Sequence, residues 1–182
     1  MINELLCYRI ALGIAGVLGV GLTVWTVRLA PGNLERFESW PRAKAPGMII
    51  GWIVLALCVP HAAVVSPGFL IPLLWPLAIG VPILGYFFVD YPLSRALGGA
   101  AILGAYYLVH KSFELHTPMF GVIALLSWIL GIAGIWISGK PCALRDWIRL
   151  CSRSRFWKFA SAGFFAIMTL ALWWGAALTR GE

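Results

Sequence analysis

The sequence predicts an all-α fold: an integral membrane bundle of six transmembrane helices, with short amphipathic helices at the membrane interface. Three observations predict it. The chain of 182 residues is 61% hydrophobic and 12% charged, with a mean hydropathy of +0.89; soluble domains carry about 25% charged residues. The apolar residues gather into segments close to the ~20 residues that a helix needs to cross a bilayer. With six spans counted, the basic residues gather in alternate linkers, as the positive-inside rule expects. These properties exclude an ordinary soluble globule, a disordered tail and a nucleic-acid-binding domain, since no long polar region exists to carry the last.

The segments are Leu5–Val27, Met48–Val65, Phe69–Phe88, Leu93–Val109, Met119–Ile137 and Phe159–Leu178, read as one transmembrane domain over residues 1–182. The apolar core of the first, Ile10–Val27, is longer than the h-region of a signal peptide. Only Arg9 precedes it, offset by Glu4, and no small-residue cleavage site follows; it reads as a retained span. In the linker Arg28–Gly47, Asn33 is placed to cap a short helix. Leu34 and Phe37 share its apolar side with Trp40, and Pro41 ends it. Ser66-Pro67-Gly68 is a tight turn. The third segment carries Pro72, Pro76 and Pro82 with Gly80. Each proline removes a helical N–H donor, so the carbonyls of Gly68, Pro72 and Ala78 lose their partners. Pro72, Pro76 and Gly80 share one stripe, a candidate kinked wall of a substrate or ion path. The fourth segment is the shortest and holds Arg95 in its first turn.

Charge tests the count. With six spans, the first, third and fifth linkers share a side and hold eleven basic residues: Arg28, Arg36, Arg42 and Lys44; Arg95; Lys140, Arg145, Arg149, Arg153, Arg155 and Lys158. The other side holds Arg9, Lys111 and Arg180. The odd linkers are therefore expected in the cytoplasm, with both termini outside. In the fifth linker, Leu144, Trp147, Ile148 and Cys151 follow helical spacing, while Arg145, Arg149 and Arg153 stack on another face. This is a basic amphipathic helix, suited to docking on anionic lipid or an acidic partner.

Stripes of small residues mark expected helix contacts: Gly13, Gly16 and Gly19; Gly98, Gly99, Ala100, Ala101, Gly104 and Ala105; Ala171 and Gly175. Lipid offers no hydrophobic drive for association, so close backbone approach has to supply it, within the bundle or with a second copy.

Groups that carry chemistry are few. Cys7, Cys58, Cys142 and Cys151 form no metal-finger spacing and read as small interfacial or buried thiols. His61, His110 and His116 fall toward the outer face, with Glu114 and Cys7 at similar depth. They are the candidates for a metal site, with His61 and His110 as a haem-ligating pair, although no sequence spacing supports either. Asp90 and Arg95 flank Pro92 and are expected to pair across the turn. No nucleophile elbow, zinc-protease or phosphate-loop motif is present, and no pair of carboxylates lies within the spans. Catalysis is not supported, and no cofactor is expected.

The run Phe88-Val89-Asp90-Tyr91-Pro92-Leu93-Ser94-Arg95-Ala96-Leu97-Gly98-Gly99, with the later Lys140-Pro141 and Leu144-Arg145-Asp146-Trp147-Ile148, resembles small multi-pass bacterial inner-membrane proteins that are themselves uncharacterised. They follow an aromatic-rich span with an acidic residue and an R-A-L-G-G run. The resemblance implies a bacterial inner-membrane setting and brings no activity. Three functions are thus expected in order: a non-enzymatic scaffold, assembly or accessory subunit of a membrane complex; a small transporter or channel; an outer-face metal or haem redox protein. The expected partners are the bilayer, anionic lipids at the cytoplasmic face, and other membrane proteins or a second copy.

Overall fold

A computed structural model describes residues 2–117 and 119–178. Arg180, counted above among the outer basic residues, lies outside the described residues. Among the described residues the chain is helical throughout, with eight α-helices and no strand: α1 (Ile2–Arg28), α2 (Leu34–Ser39), α3 (Lys44–Val65), α4 (Ile71–Phe88), α5 (Pro92–Glu114), α6 (Phe120–Gly139), α7 (Cys142–Arg153) and α8 (Arg155–Leu178). Short 3-10 turns at Pro31–Asn33 and Trp40–Arg42 flank α2.

Five helices are long and apolar enough to cross a membrane: Leu5–Arg28 of α1, then α3, α4, α6 and α8. They are compatible with a multi-pass membrane protein. The sixth expected segment, 93–109, lies within α5. At 23 residues α5 rises about 34 Å, more than a ~30 Å hydrocarbon core, so length is not what it lacks. Its apolar content is diluted by Gly98, Gly99 and Gly104, and by Arg95, His110 and Lys111.

Several boundaries move for local reasons. α4 begins at Ile71 rather than Phe69, because Leu70 N–H donates to the Pro67 carbonyl (2.9 Å) and closes a turn over Pro67-Gly68. Gly68 is therefore outside the helix, and its carbonyl is not orphaned by Pro72. Pro72 itself stands in the first turn of α4, where its missing N–H would have had no helical partner in any case. Asn33 does not cap α2. Its side chain turns back, accepting from Ala30 N–H (2.9 Å) and donating to the Arg28 carbonyl (3.0 Å), which closes the C-terminal end of α1.

The chain forms two compact units. The first holds the residues up to Leu34, Gly104–Leu130 and the chain from Trp147 onward; the second holds Glu35–Leu103 and Gly131–Asp146.

The first unit has a side-chain core. Tyr8 and Leu12 of α1, Leu108 of α5, Ile123 and Leu126 of α6, and Met168, Ala171 and Leu172 of α8 form one buried cluster. α1 and α8 pack along their length where glycines admit large neighbours: a Cβ on Gly16 would meet the Trp173 indole, and one on Gly19 the Thr169 hydroxyl. The start of α8 is braced by α7, whose Trp147 donates to the Ser161 hydroxyl (3.2 Å). Cys151 is buried there within 3.5 Å of the same hydroxyl. Burial pushes the Cys151 thiol up, so it stays protonated and inert.

The second unit is held by backbone approach instead. A Cβ on Gly98 of α5 would lie 2.8 Å from the Gly134 carbonyl oxygen of α6 and against Ser138. A Cβ on Gly47 of α3 would lie 2.5 Å from Leu93 N. α3 meets α4 where Gly51 faces Pro82, at 3.6 Å for a Cβ. One residue along from the Ala78 carbonyl that Pro82 deprives, the Ile79 carbonyl accepts from Trp52 Nε1 (2.9 Å). A neighbouring helix thus supplies a donor beside the proline defect. Only Pro82 and Ala78 of α4 are buried; Pro72 and Pro76 are exposed. The stripe Pro72, Pro76 and Gly80 therefore does not wall an internal path. Proline ring carbons are apolar, so an exposed stripe of them suits a lipid surface.

Candidate functional site

Three linkers of the second unit meet at one residue, Tyr91. The link between α4 and α5 is only Val89-Asp90-Tyr91. It leaves α4 as Val89 N–H donates back to the Gly85 carbonyl (3.0 Å). It enters α5 at Pro92, a residue preset for a first helical turn. To make that reversal Tyr91 takes φ 58°, a left-handed conformation that costs a non-glycine residue about 1–2 kcal/mol.

What holds Tyr91 there is visible on its ring. The Tyr91 hydroxyl accepts from Arg42 Nη2 at 2.9 Å and from Arg145 Nη1 at 3.2 Å. The Arg42 guanidinium carbon also stands 5.0 Å from the ring centroid, within cation–π range. Arg42 belongs to the α2–α3 linker and Arg145 to α7, so first, third and fifth linkers converge on one phenol. Hydrogen bonds from charged donors contribute roughly 1.5–3 kcal/mol each when shielded and less when exposed, enough to offset the backbone cost.

The same corner is fastened beneath. Ser94, fully buried, donates to the Pro141 carbonyl (2.9 Å). Gly47 lets the first turn of α3 press on Pro92 and Leu93, bringing Lys44 to the link. Lys44 Nζ stands 5.6 Å from the centroid of Tyr86. Beside Tyr91 opens a cavity of about 350 Å³ lined by Arg42, Lys44, Val89, Asp90, Tyr91 and Pro92. It holds two cations, one carboxylate and a phenol.

Two expectations about charged residues are corrected. Asp90 and Arg95 do not pair. Arg95 turns to the C-terminal end of α6 and donates to the Ser138 carbonyl (3.5 Å), where the helix dipole favours a cation; Asp90 remains exposed on the cavity wall. Arg145, Arg149 and Arg153 do not form one free docking face. Arg145 is half-buried and committed to Tyr91 and to Asp146, at 3.1 Å. Arg149 is half-buried, and Arg153 is exposed. The pattern of α7 was visible in sequence, but its Arg145 is taken by a residue 54 positions away.

The histidines divide between the units: His61 lies on α3 in the second, His110 and His116 in the first. His110 stacks on Tyr106 with centroids 5.6 Å apart and lies 3.8 Å from Glu114. His116, at φ 48°, sets Nδ1 3.3 Å from the Glu114 carbonyl. Lys111, at 2.8 Å, holds the Glu114 carboxyl below the usual carboxylate range. Among the described residues no three His, Cys, Asp or Glu side chains gather as a metal would need.

No protein family, curated protein or solved structure matches this chain. Its function has to be argued from the corner around Tyr91.

Sequence reasoning missed Tyr91, Arg42 and Lys44 as site residues. The signal for them is slight: the link between α4 and α5 is only three residues long, but no local pattern pairs Tyr91 with Arg42 or Lys44.

Proposed function

We propose that the chain is a six-span inner-membrane protein and a non-enzymatic one: a scaffold or accessory subunit that docks through its basic cytoplasmic face. The observation that carries this reading is the junction of Arg42, Tyr91 and Arg145, which brings all three basic linkers to one end of the second unit. α3 starts there, α4 ends there and α6 ends there; those three are apolar enough to cross. α5 also starts there and leads to the far end of α6, so it has to make the return crossing. Small residues suit it to that task, because a helix packed among other helices needs close approach more than a lipid-soluble surface. With α5 as the sixth crossing, the eleven-to-three charge split of the sequence puts the junction in the cytoplasm and both termini outside. The bacterial setting rests on the resemblance of the Asp90–Gly99 run.

The scaffold role is supported by what the junction is made of. Arg42 and Arg145 are bound to a phenol, Arg145 also to the Asp146 carboxylate, and the nearby Arg95 to a carbonyl, an arrangement that stiffens linkers and positions a surface. Sided labelling tests the topology. In a background with Cys7, Cys58, Cys142 and Cys151 replaced, single cysteines go at Gly32, Gly68, His116 and Gly139. A membrane-impermeant maleimide is expected to reach Gly68→Cys and His116→Cys from outside, and Gly32→Cys and Gly139→Cys only in inverted vesicles. Labelling of positions 68 and 116 from opposite sides would remove α5 as a span. For the scaffold role, mild-detergent extraction is expected to recover the chain in a complex that Tyr91→Ala dissolves; a lone chain of unchanged size in both would count against it.

A further inference from the structure

We propose that the cavity beside Tyr91 binds a phospholipid headgroup that carries both a phosphate and a primary ammonium. The assignment rests on the reading above, that this corner lies at headgroup level, and it names the ligand.

The first observation is a mismatch of charge. Arg42, Lys44 and Asp90 line one cavity of about 350 Å³, yet Asp90 forms no ion pair with either cation, nor with Arg95. An anion alone would satisfy Arg42 and Lys44 and face the Asp90 carboxylate. A cation alone would satisfy Asp90 and face the two basic groups. A zwitterion meets both. The second observation is the state of the Tyr91 hydroxyl. Arg42 and Arg145 occupy its accepting side, which leaves its one O–H donor for an acceptor oxygen in the cavity, as a phosphate provides. The third is the left-handed backbone of Tyr91. Strain of this kind in a bulky residue concentrates at ligand sites, and here it sets the phenol on the cavity wall.

The fourth observation selects a lipid over a soluble molecule. Phe87 and Phe88, the last residues of α4, are 67% and 82% exposed and directly precede the cavity residue Val89. An apolar surface therefore continues from the cavity down the spanning helix, where acyl chains would lie. Chemistry also separates the headgroups. A primary ammonium donates hydrogen bonds to a carboxylate, whereas a trimethylammonium has no N–H to donate, and a glycerol headgroup brings no positive charge to Asp90.

Native mass spectrometry of the full chain in detergent, titrated with phosphatidylethanolamine, phosphatidylcholine and phosphatidylglycerol of identical acyl chains, tests this. The ethanolamine lipid is expected to bind about tenfold more tightly than the choline lipid, the worth of one charge-assisted hydrogen bond. Asp90→Asn is expected to abolish that preference and leave phosphatidylglycerol binding undiminished. Arg42→Gln with Lys44→Gln is expected to weaken all three. Equal binding of the ethanolamine and choline lipids by the native chain, or a preference that survives Asp90→Asn, would overturn the assignment. Free phosphoethanolamine is expected not to displace the lipid; displacement would make the cavity a site for a soluble molecule and overturn it as well. The sided labelling above separates the two failures: labelling as expected without lipid preference removes the headgroup site alone, whereas labels on the wrong sides remove the topology beneath it.

Discussion

The two units hold helices together in different ways. In the first, α1, α5, α6 and α8 enclose a volume filled by Tyr8, Leu12, Leu108, Ile123, Leu126 and Leu172. Gly16 and Gly19 of α1 are sockets, making room for Trp173 and Thr169. In the second, Gly98 and Gly47 are points of backbone contact, Gly98 against the Gly134 carbonyl and Gly47 against Leu93 N. Polar ties then lock the corner: Ser94 to Pro141, Arg95 to Ser138, and Arg42 and Arg145 to Tyr91. A socket can be refilled, because a side chain such as Trp173 can swing. A backbone contact has nothing that can move without moving a helix.

That difference orders the expected effects of substitution. The largest is Gly98→Leu, which drives a side chain into the α6 backbone; a loss of about 3 kcal/mol is expected, read as a lower unfolding midpoint in detergent. Gly16→Ala should cost less, because only the Trp173 side chain has to shift, and Gly13→Ala, with nothing within 4 Å, should be neutral or slightly stabilising. If Gly16→Ala costs as much as Gly98→Ala, the distinction between socket and backbone contact falls. Next comes Leu172→Ala in the first unit, at about 2 kcal/mol. This is the low end of the range for soluble cores, since lipid already solvates the unfolded reference and only lost packing counts. Tyr91→Phe follows at about 1 kcal/mol: two charge-assisted bonds are lost, but both cations regain water. Its sharper readout is faster hydrogen exchange of the Asp90–Ser94 amides, with the first unit unchanged. The smallest is Asp90→Asn, within about 0.5 kcal/mol, because Asp90 is exposed and forms no ion pair among the described residues; a clear loss of stability there would mean that the carboxylate has a structural partner.

Much of the architecture was legible because its signals are one-dimensional. Five helices long and apolar enough to cross a membrane follow from runs of apolar residues. The turn at Ser66-Pro67-Gly68 follows from its residue types, and α7 from the spacing of Trp147, Ile148 and Cys151. What could not be read is what each polar residue chose among several neighbours. Arg95 had Asp90 close in sequence and took the α6 carboxyl end. Asn33 had α2 ahead of it and closed α1 behind it. Arg145 had a helical stack of arginines and took Tyr91. In each case the winning partner is set by which helix ends meet, and no local pattern encodes that.

The sequence by itself determined the apolar segments, the linkers that carry the basic residues and the positions where helices can come close, because hydropathy, charge and side-chain size act residue by residue. The tertiary structure decided which glycines are sockets and which are backbone contacts, and it decided that a strained tyrosine would gather three linkers beside an exposed Asp90. Those outcomes depend on distances between residues tens of positions apart, and only packed helices set such distances.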